Sequence, residues 1–286
     1  MNPRKRLLLA AFLVAFFPLA LAQGTYTQID VPGAVVTGAW GINTAGDVVG
    51  QFTDTTGNHG FLLRGGVFTA LDVPNASYTS AIGINDIGQI VGQGDSSGFL
   101  YDIQTQTFTT FRYSQSSYTS AFAVNNAGTI AGAIGKLANN TSVGFEFDGT
   151  TYTIIKAPGA SKTFLSAVDN LGEAMVSGQT ASGVLSYYLF SQGRLTRITN
   201  PSSLEPWGIN DTNTIAGTRT IHQYTEYAGF VKQGAARQSL TFPASTSTFA
   251  LSVNNAGVVV GYFYDASGPS GVHGFMWTPP GDAVKK

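Results

Sequence analysis

The sequence predicts an all-β protein, and more specifically a six-bladed β-propeller with four strands in each blade. Two observations support this prediction: a short motif recurs six times at a nearly constant spacing, and the segments between its copies are rich in strand-forming Val, Ile, Thr, Phe and Tyr. The 286-residue chain is 43% hydrophobic and contains 35 glycines. We therefore expect a packed core whose strands are joined by many turns.

The recurring motif predicts a hairpin turn between the first and second strands of each repeat. It begins with Asn or Asp and has Gly at its fourth position in five copies, whereas the fifth copy has Asn213 there. This pattern favours a turn with positive φ at the fourth residue, which Gly adopts freely and Asn tolerates next best. The first residues, called marker residues below, are Asn43, Asn85, Asn125, Asp169, Asn210 and Asn254, with spacings of 42, 40, 44, 41 and 44. Such a period indicates an array of similar supersecondary units.

The third and fourth strands of each repeat have motifs of their own. A Gly-Phe motif, such as HGFLL at 59–63, follows each marker, with Tyr187 in place of its Gly in repeat four. A fourth-strand motif such as VFTALDVP at 67–74 comes next, but one copy, TYTQIDVPGA at 25–34, stands alone before the first marker. In a ring of blades that lone strand can complete the last blade and leave no free edge. We therefore expect the first strand to pair with the last.

The first 22 residues predict a secretory signal peptide. A basic start at residues 4–6 precedes an apolar run from Leu7 to Leu19, and Ala20-Leu21-Ala22 fits the cleavage rule, with the cut between Ala22 and Gln23. The run is short for a membrane anchor, which needs about 20 residues. We expect a propeller over 23–279, a tail over 280–286, and a secreted or periplasmic protein with no membrane span after cleavage.

Composition excludes several classes of function. The chain has 15 basic and 16 acidic residues, so it lacks the positive excess that nucleic-acid binding requires. It contains no cysteine, which excludes disulfides, thiolate metal sites and cysteine nucleophiles.

Taken together, the motifs resemble the bacterial extracellular repeats called the HAF family. The resemblance rests on the GIN-x-x-G-x-V-V-G turn, the HGF and GF motifs and the FTxLDVPGA stretch, and it covers about residues 25–277. It implies an exported bacterial repeat protein, with no activity and no catalytic residues to carry over. Repeat four departs from the pattern at two places. Tyr187 replaces the Gly of the Gly-Phe motif, and Met175-Val176 replaces the usual Val-Gly pair.

A candidate binding site lies in the loops that follow the second strands of repeats one, two and six. Ring closure makes these repeats neighbours, so their loop carboxylates would share one sector and could hold a hard cation such as calcium. The histidines that precede two Gly-Phe motifs would add a ligand or a base, and two tyrosines would offer a flat face to a sugar. The predicted set is Asp54, His59, Asp95, Tyr262, Tyr264, Asp265 and His273. The alternative is that the loop Asp residues are simply solvated and that HGF is a packing motif.

Three functions stay open at this level. The first, which we expect, is a non-catalytic binding or structural propeller that acts at the cell surface or outside the cell on a protein or glycan partner. The second is a propeller enzyme that acts on a carbohydrate or a lactone with a metal or carboxylate site. The third is a lectin with one site per blade, which the unequal loops disfavour. No catalytic residue is assigned, and no cofactor other than calcium is considered.

Overall fold

The computed structural model describes residues 24–198, 204–222, 226–267 and 271–281, and the predicted signal peptide lies outside these ranges. The described residues form 24 strands and one short 3₁₀ helix at Leu137–Asn139, which confirms the all-β prediction for this part of the chain. No helix in the same ranges is long and apolar enough to span a membrane.

The strands are β1 (Thr25–Ile29), β2 (Val36–Ile42), β3 (Val48–Thr53), β4 (Asn58–Arg64), β5 (Val67–Leu71), β6 (Thr79–Ile84), β7 (Gln89–Gly94), β8 (Ser97–Asp102), β9 (Thr107–Phe111), β10 (Tyr118–Val124), β11 (Ile130–Lys136), β12 (Thr141–Phe147), β13 (Tyr152–Ile155), β14 (Lys162–Val168), β15 (Ala174–Gln179), β16 (Leu185–Ser191), β17 (Arg194–Arg197), β18 (Leu204–Ile209), β19 (Thr214–His222), β20 (Glu226–Gln233), β21 (Ala236–Leu240), β22 (Ser247–Val253), β23 (Val259–Tyr264) and β24 (Val272–Thr278).

The described strands form five hydrogen-bonded sheets rather than the six separate sheets that we expected. Four sheets contain four consecutive strands each, namely β6–β9, β10–β13, β14–β17 and β18–β21. The fifth contains eight strands, because the single parallel pair Val36↔Val272 joins β2–β5 to the assembly of β22–β24 with β1. We call each set of four strands a strand group, and its first strand (β2, β6, β10, β14, β18 or β22) the inner strand.

The first strand of the chain pairs with the last, as its isolated sequence motif predicts. β1 runs antiparallel to β24 over five residue pairs, from Thr25↔Thr278 to Ile29↔Gly274. The Tyr26 ring lies edge-on against Phe242, with 5.6 Å between the ring centroids. Its hydroxyl accepts a hydrogen bond from the backbone N–H of Thr241 at 2.9 Å.

The six marker turns have the predicted backbone geometry. The fourth-position N–H donates to the marker carbonyl in each turn, for example from Gly46 to Asn43 at 3.1 Å. The five fourth-position glycines have φ between 76° and 87°, and Asn213 has φ of 57°. The Asn in repeat five is therefore a residue that tolerates the same left-handed conformation.

Every inner strand contains a β-bulge at the same place, three residues before its marker. A bulge leaves one residue unpaired and re-aims its side chain. The bulged residues are Trp40, Ile82, Phe122, Ser166, Trp207 and Leu251. The small residue that follows each bulge allows inner strands to approach closely: a Cβ added at Gly83 would lie 2.8 Å from both the Phe122 carbonyl oxygen and the Ala123 Cα.

The hydrophobic core lies between neighbouring strand groups. In one buried cluster, Leu62 and Leu71 from the first group meet Ala81, Ile90 and Phe99 from the second. The Gly of the Gly-Phe motif permits this contact, since a Cβ at Gly60 would lie only 3.3 Å from the Ala81 Cβ. The repeats therefore stack side by side through apolar faces.

Candidate functional site

The inner strands of all six groups line one cavity of about 600 Å³. Because strands alternate in direction, the marker turns lie at one end of this cavity, which we call the marker end. The loops between second and third strands, together with the connections between groups, lie at the other end, which we call the loop end. All six bulged residues contribute to the wall between the two ends.

Side-chain amides link neighbouring marker residues at the marker end. The Nδ2 atom of one marker donates to the backbone carbonyl of the next marker along the chain, and Asn254 donates to Asn43 at 2.9 Å. The other donors are Asn43, Asn85, Asn125 and Asn210, with distances between 2.7 and 3.4 Å. The marker Asn residues therefore have a structural role, as the sequence indicates.

Asp169 interrupts this pattern. Its Oδ1 accepts the N–H groups of Leu171 and Glu173 at 2.9 and 2.8 Å, as the Oδ1 of Asn125 does in its own turn. The Oδ2 atom, which replaces an amide donor, is buried and has no hydrogen-bond partner in the described structure. Burial raises the pKa of Asp169, and the charges of Glu173 and Asp211 raise it further. The backbone hydrogen bonds from Glu173 and Leu171 lower the pKa, but by less.

We expect Asp169→Asn to stabilise the protein at neutral pH. The new amide would donate to the Asn210 carbonyl, as the other five markers donate to theirs, and it would remove an unsatisfied buried acceptor. The expected gain in the free energy of unfolding is about 1–3 kcal/mol. Denaturant unfolding followed by tryptophan fluorescence measures this gain. The matched control is Asn254→Asp, which introduces the same defect into an intact link and should destabilise by a similar amount.

The advantage of the Asp169→Asn variant should shrink in acid. The folded-state pKa of Asp169 lies above its ordinary value of 3.8, so the native protein binds the proton more tightly than the unfolded chain does. The cost of the ionised carboxyl is therefore full above the raised pKa and disappears as the pH falls to about the ordinary value. A stability difference between the two proteins that is absent at neutral pH, or that grows in acid, would contradict this account.

A second set of hydrogen bonds joins the residues that follow the markers. The backbone N–H of Thr44 donates to Asp86 Oδ1 at 2.8 Å, and the N–H of Asp86 donates to Asn126 Oδ1 at 2.9 Å. The same contact recurs from Asn126 to Asn170, from Asn170 to Asp211 and from Asp211 to Asn255. Burial opposes ionisation of Asp86, but hydrogen bonds from Asn126 and Thr44 lower its pKa overall. The marker end is thus cross-linked by polar contacts between neighbouring turns.

The wall above the marker end is largely aromatic and aliphatic. Five of the six bulged residues are large and apolar, whereas the fourth strand group has Ser166, whose hydroxyl donates to the Trp207 carbonyl at 2.8 Å. The aromatic residues of the described wall are Trp40, Tyr78, Phe122, Phe164, Tyr187 and Trp207. The side of the cavity at Ser166 is therefore chemically different from the others.

The fourth repeat is also where the wall departs most from the repeat pattern. Tyr187 occupies the position of the Gly in the Gly-Phe motif, and it lines the cavity. Val176 occupies a position that is Gly in the other repeats, and it pairs with Leu165 and Tyr188 on its two neighbouring strands. Tyr187 therefore brings one departure of repeat four to the cavity, whereas Val176 lies in a buried apolar cluster with Leu165 and Tyr188.

Glu205 lies on the inner strand of the next group and also lines the cavity. Burial raises the pKa of its carboxyl group. Burial, and then the negative charge of Glu205, raise the pKa of the Tyr187 phenol. Burial also raises the pKa of Tyr262 to about 12, with smaller effects of Tyr264, Glu205 and Tyr227. A half-buried carboxyl group therefore lies in a tyrosine-rich part of the structure. The sequence did not predict that these residues lie close together.

The two predicted histidines occupy equivalent but separate positions. His59 lies 2.8 Å from Asp72 and 3.4 Å from Asp54, measured between a ring nitrogen and a carboxylate oxygen. In the same way, His273 lies 2.9 Å from Asp30 and 3.4 Å from Asp265. The sequence prediction omitted Asp72 and Asp30, although both end fourth-strand motifs at matching places. Each histidine ring also stacks on a phenylalanine of the adjacent strand.

Asp54 and Asp265 are hydrogen-bonded within their own loops, whereas Asp95 accepts hydrogen bonds from Ser77 in the connection between β5 and β6. Hydrogen bonds from Thr56 lower the pKa of Asp54, those from Ser77 lower the pKa of Asp95, and those from Ser267 lower the pKa of Asp265. Within the described ranges, no group of three or more His, Asp or Glu side chains has the arrangement of a metal site. Calcium binding at this sector stays a prediction.

The two predicted tyrosines lie together on β23, near the cavity wall. The Tyr262 ring stacks on Phe249 at a centroid distance of 4.6 Å and lies 5.9 Å from Trp40. Tyr264 meets the same Phe249 edge-on at 5.7 Å. Tyr262 is therefore packed among rings rather than presented as a free flat surface.

Comparison with solved structures identifies the fold. No protein-family model and no curated protein matches the chain. The structure is similar to a gluconolactonase from Xanthomonas campestris, with 13% identity, 86% of this chain and 89% of that chain covered, and a TM-score of 0.54. It is similar to a streptogramin B lyase, with 12% identity, 88% and 97% covered, and a TM-score of 0.52. It is also similar to the β-propeller domain of the trilobed protease from Pyrococcus furiosus, with 8% identity, 82% and 79% covered, and a TM-score of 0.53. These likenesses show a β-propeller fold and nothing about activity.

Proposed function

We propose that this protein is an exported, non-catalytic binding propeller of the HAF type, and that its ligand enters the central cavity from the loop end. Its six strand groups act as six blades in one ring, which β1 closes by completing the last blade. Two contacts support closure: the five-residue pairing of β1 with β24, and the hydrogen bond from Asn254 to the Asn43 carbonyl. Export rests on the signal sequence predicted over residues 1–22.

The observation that supports a binding site most directly is the asymmetry of the cavity wall. Packing of one repeat against the next gives no reason for one part of the cavity wall to become more polar than the rest. Here Tyr187 replaces a packing Gly, Ser166 replaces a large apolar residue, and Glu205 lies in the neighbouring blade. These three departures meet in one part of a cavity whose size suits a small ligand, since ligand pockets range from about 300 to 1,000 Å³.

Binding is favoured over catalysis because most carboxyl groups of the cavity wall form hydrogen bonds within or between the marker turns. Asp86 and Asp211 bond to neighbouring turns at the marker end, and Asp169 accepts hydrogen bonds within its own turn. Among the described wall residues this leaves Glu205 as the carboxyl group at the loop end. Glycoside hydrolysis generally requires a pair of carboxyl groups on opposite sides of the scissile bond. An enzyme that acts on a carbohydrate or a lactone is the alternative.

A glycan array combined with a thermal-shift screen of small molecules tests the proposal. Every compound that raises the melting temperature should lose its effect on Ser166→Phe, which places a ring in the cavity at the position where Phe122 stands in blade three. The control variant is Leu137→Phe, at a site that is 73% exposed and outside the cavity, and it should retain binding. Hits that bind Ser166→Phe normally would overturn the cavity site. Chemical conversion of a hit, seen by mass spectrometry, would favour the enzyme instead.

A further inference from the structure

The described cavity wall has an unbalanced charge. It contains the carboxyl groups of Asp86, Asp169, Glu205 and Asp211, and it contains no Lys, Arg or His among the described residues. The same wall carries six aromatic rings, including Trp40, which is one of its bulged residues. Carboxylates and the faces of aromatic rings both attract positive charge, and the attraction increases when the cation is desolvated.

We propose that the cavity binds an organic cation, namely an alkylated ammonium group attached to a small body. This inference rests on the proposed function and deepens it by naming the class of ligand. The ammonium group would lie between Glu205 and the aromatic wall, and the rest of the ligand would extend along the apolar bulged residues.

Glu205 is the main partner for the cation. Its carboxyl group makes no hydrogen bond or ion pair in the described structure, and burial raises its pKa. A half-buried carboxylate without a partner is costly, and a bound cation would supply the missing charge. Ligand binding therefore offsets an unfavourable feature of the empty site.

The charge of the whole described wall also selects against another class of ligand. An anionic ligand would meet four carboxyl groups with no cation to compensate them, so the wall discriminates against anions.

Titration calorimetry with choline tests the proposal, with 3,3-dimethylbutan-1-ol as the neutral isostere that has carbon in place of nitrogen. Choline should bind at least about tenfold more tightly than the isostere. Glu205→Gln should weaken choline binding at least tenfold and leave the isostere unchanged. The matched control is Glu146→Gln: Glu146 is another half-buried carboxyl group with a raised pKa, it lies outside the cavity wall, and its variant should bind choline normally.

Two results would overturn the proposal that the ligand is an organic cation. One is equal affinity for choline and the isostere, and the other is a Glu205→Gln variant that binds choline normally. A failure of choline to bind at millimolar concentrations would also overturn this proposal. The proposed cavity site is judged separately, since it fails only if screened ligands still bind Ser166→Phe. A neutral sugar that binds the parent but not Ser166→Phe would therefore reject the cation and retain the binding propeller.

Discussion

A chain that begins at Val35 and lacks β1 is expected to melt about 10–20 °C lower than a chain that begins at Gly24, or to aggregate. Removing β1 deletes all five residue pairs with β24 and leaves that strand with an open edge. It also removes Ile29, which is 4% exposed, and the Tyr26 ring packed against Phe242 and Phe275. Burial of two such side chains contributes about 1.5–3 kcal/mol each, and each kcal/mol corresponds to about 2–4 °C in a chain of this size.

Circular permutation provides the control for this deletion. Thr278 pairs with Thr25, so the end of β24 lies beside the start of β1. Moving residues 24–34 to follow residue 281 converts the pair into an ordinary hairpin and should restore the melting temperature measured by calorimetry. A truncated chain that melts within a degree or two of the parent would show that β1 does not stabilise the last blade.

The turns and the strand pairings could be predicted from the sequence because they depend on local chemistry. Asx-to-Gly spacing determines the marker turns, and the positive φ of Asn213 follows from the same rule. The lone fourth-strand motif at 25–34 also predicts the pairing of β1 with β24. The number of sheets could not be predicted, since one backbone pair, Val36↔Val272, decides whether the first and last groups count as one sheet or two.

The site was predicted less well because its residues meet only through the arrangement of the inner strands. Tyr187 was recognised as a departure from the repeat, but nothing local relates it to Glu205, which lies on a different strand group. Their proximity depends on the packing of β14 and β15 against β18. The predicted loop residues, by contrast, were chosen by their distance from a glycine. That criterion identified real polar contacts, such as that of His59 with Asp54, but it did not lead to the cavity.

Gly92, which follows Ile90 and Val91 in β7, is expected to be intolerant of any side chain. A Cβ added at Gly92 would collide with the backbone carbonyl of Ser80 and would lie 2.8 Å from the Phe99 ring. Neither neighbour can move freely, because Ser80 belongs to the paired inner strand β6 and Phe99 is fully buried. Gly92→Ala should therefore cost about 3 kcal/mol or more, at the upper end of typical overpacking, and should lower the melting temperature by about 6–12 °C.

Gly281→Ala is the matched control, since an added Cβ there meets no atom within 4 Å and the residue does not require positive φ. Its melting temperature should equal that of the parent. In the fourth repeat Val176 stands at the corresponding place, and it pairs with Leu165 and Tyr188 where Gly92 pairs with Ala81 and Phe99. If Gly92→Ala melted together with Gly281→Ala in differential scanning calorimetry, the close approach of first and second strands would not limit the side chain at this position.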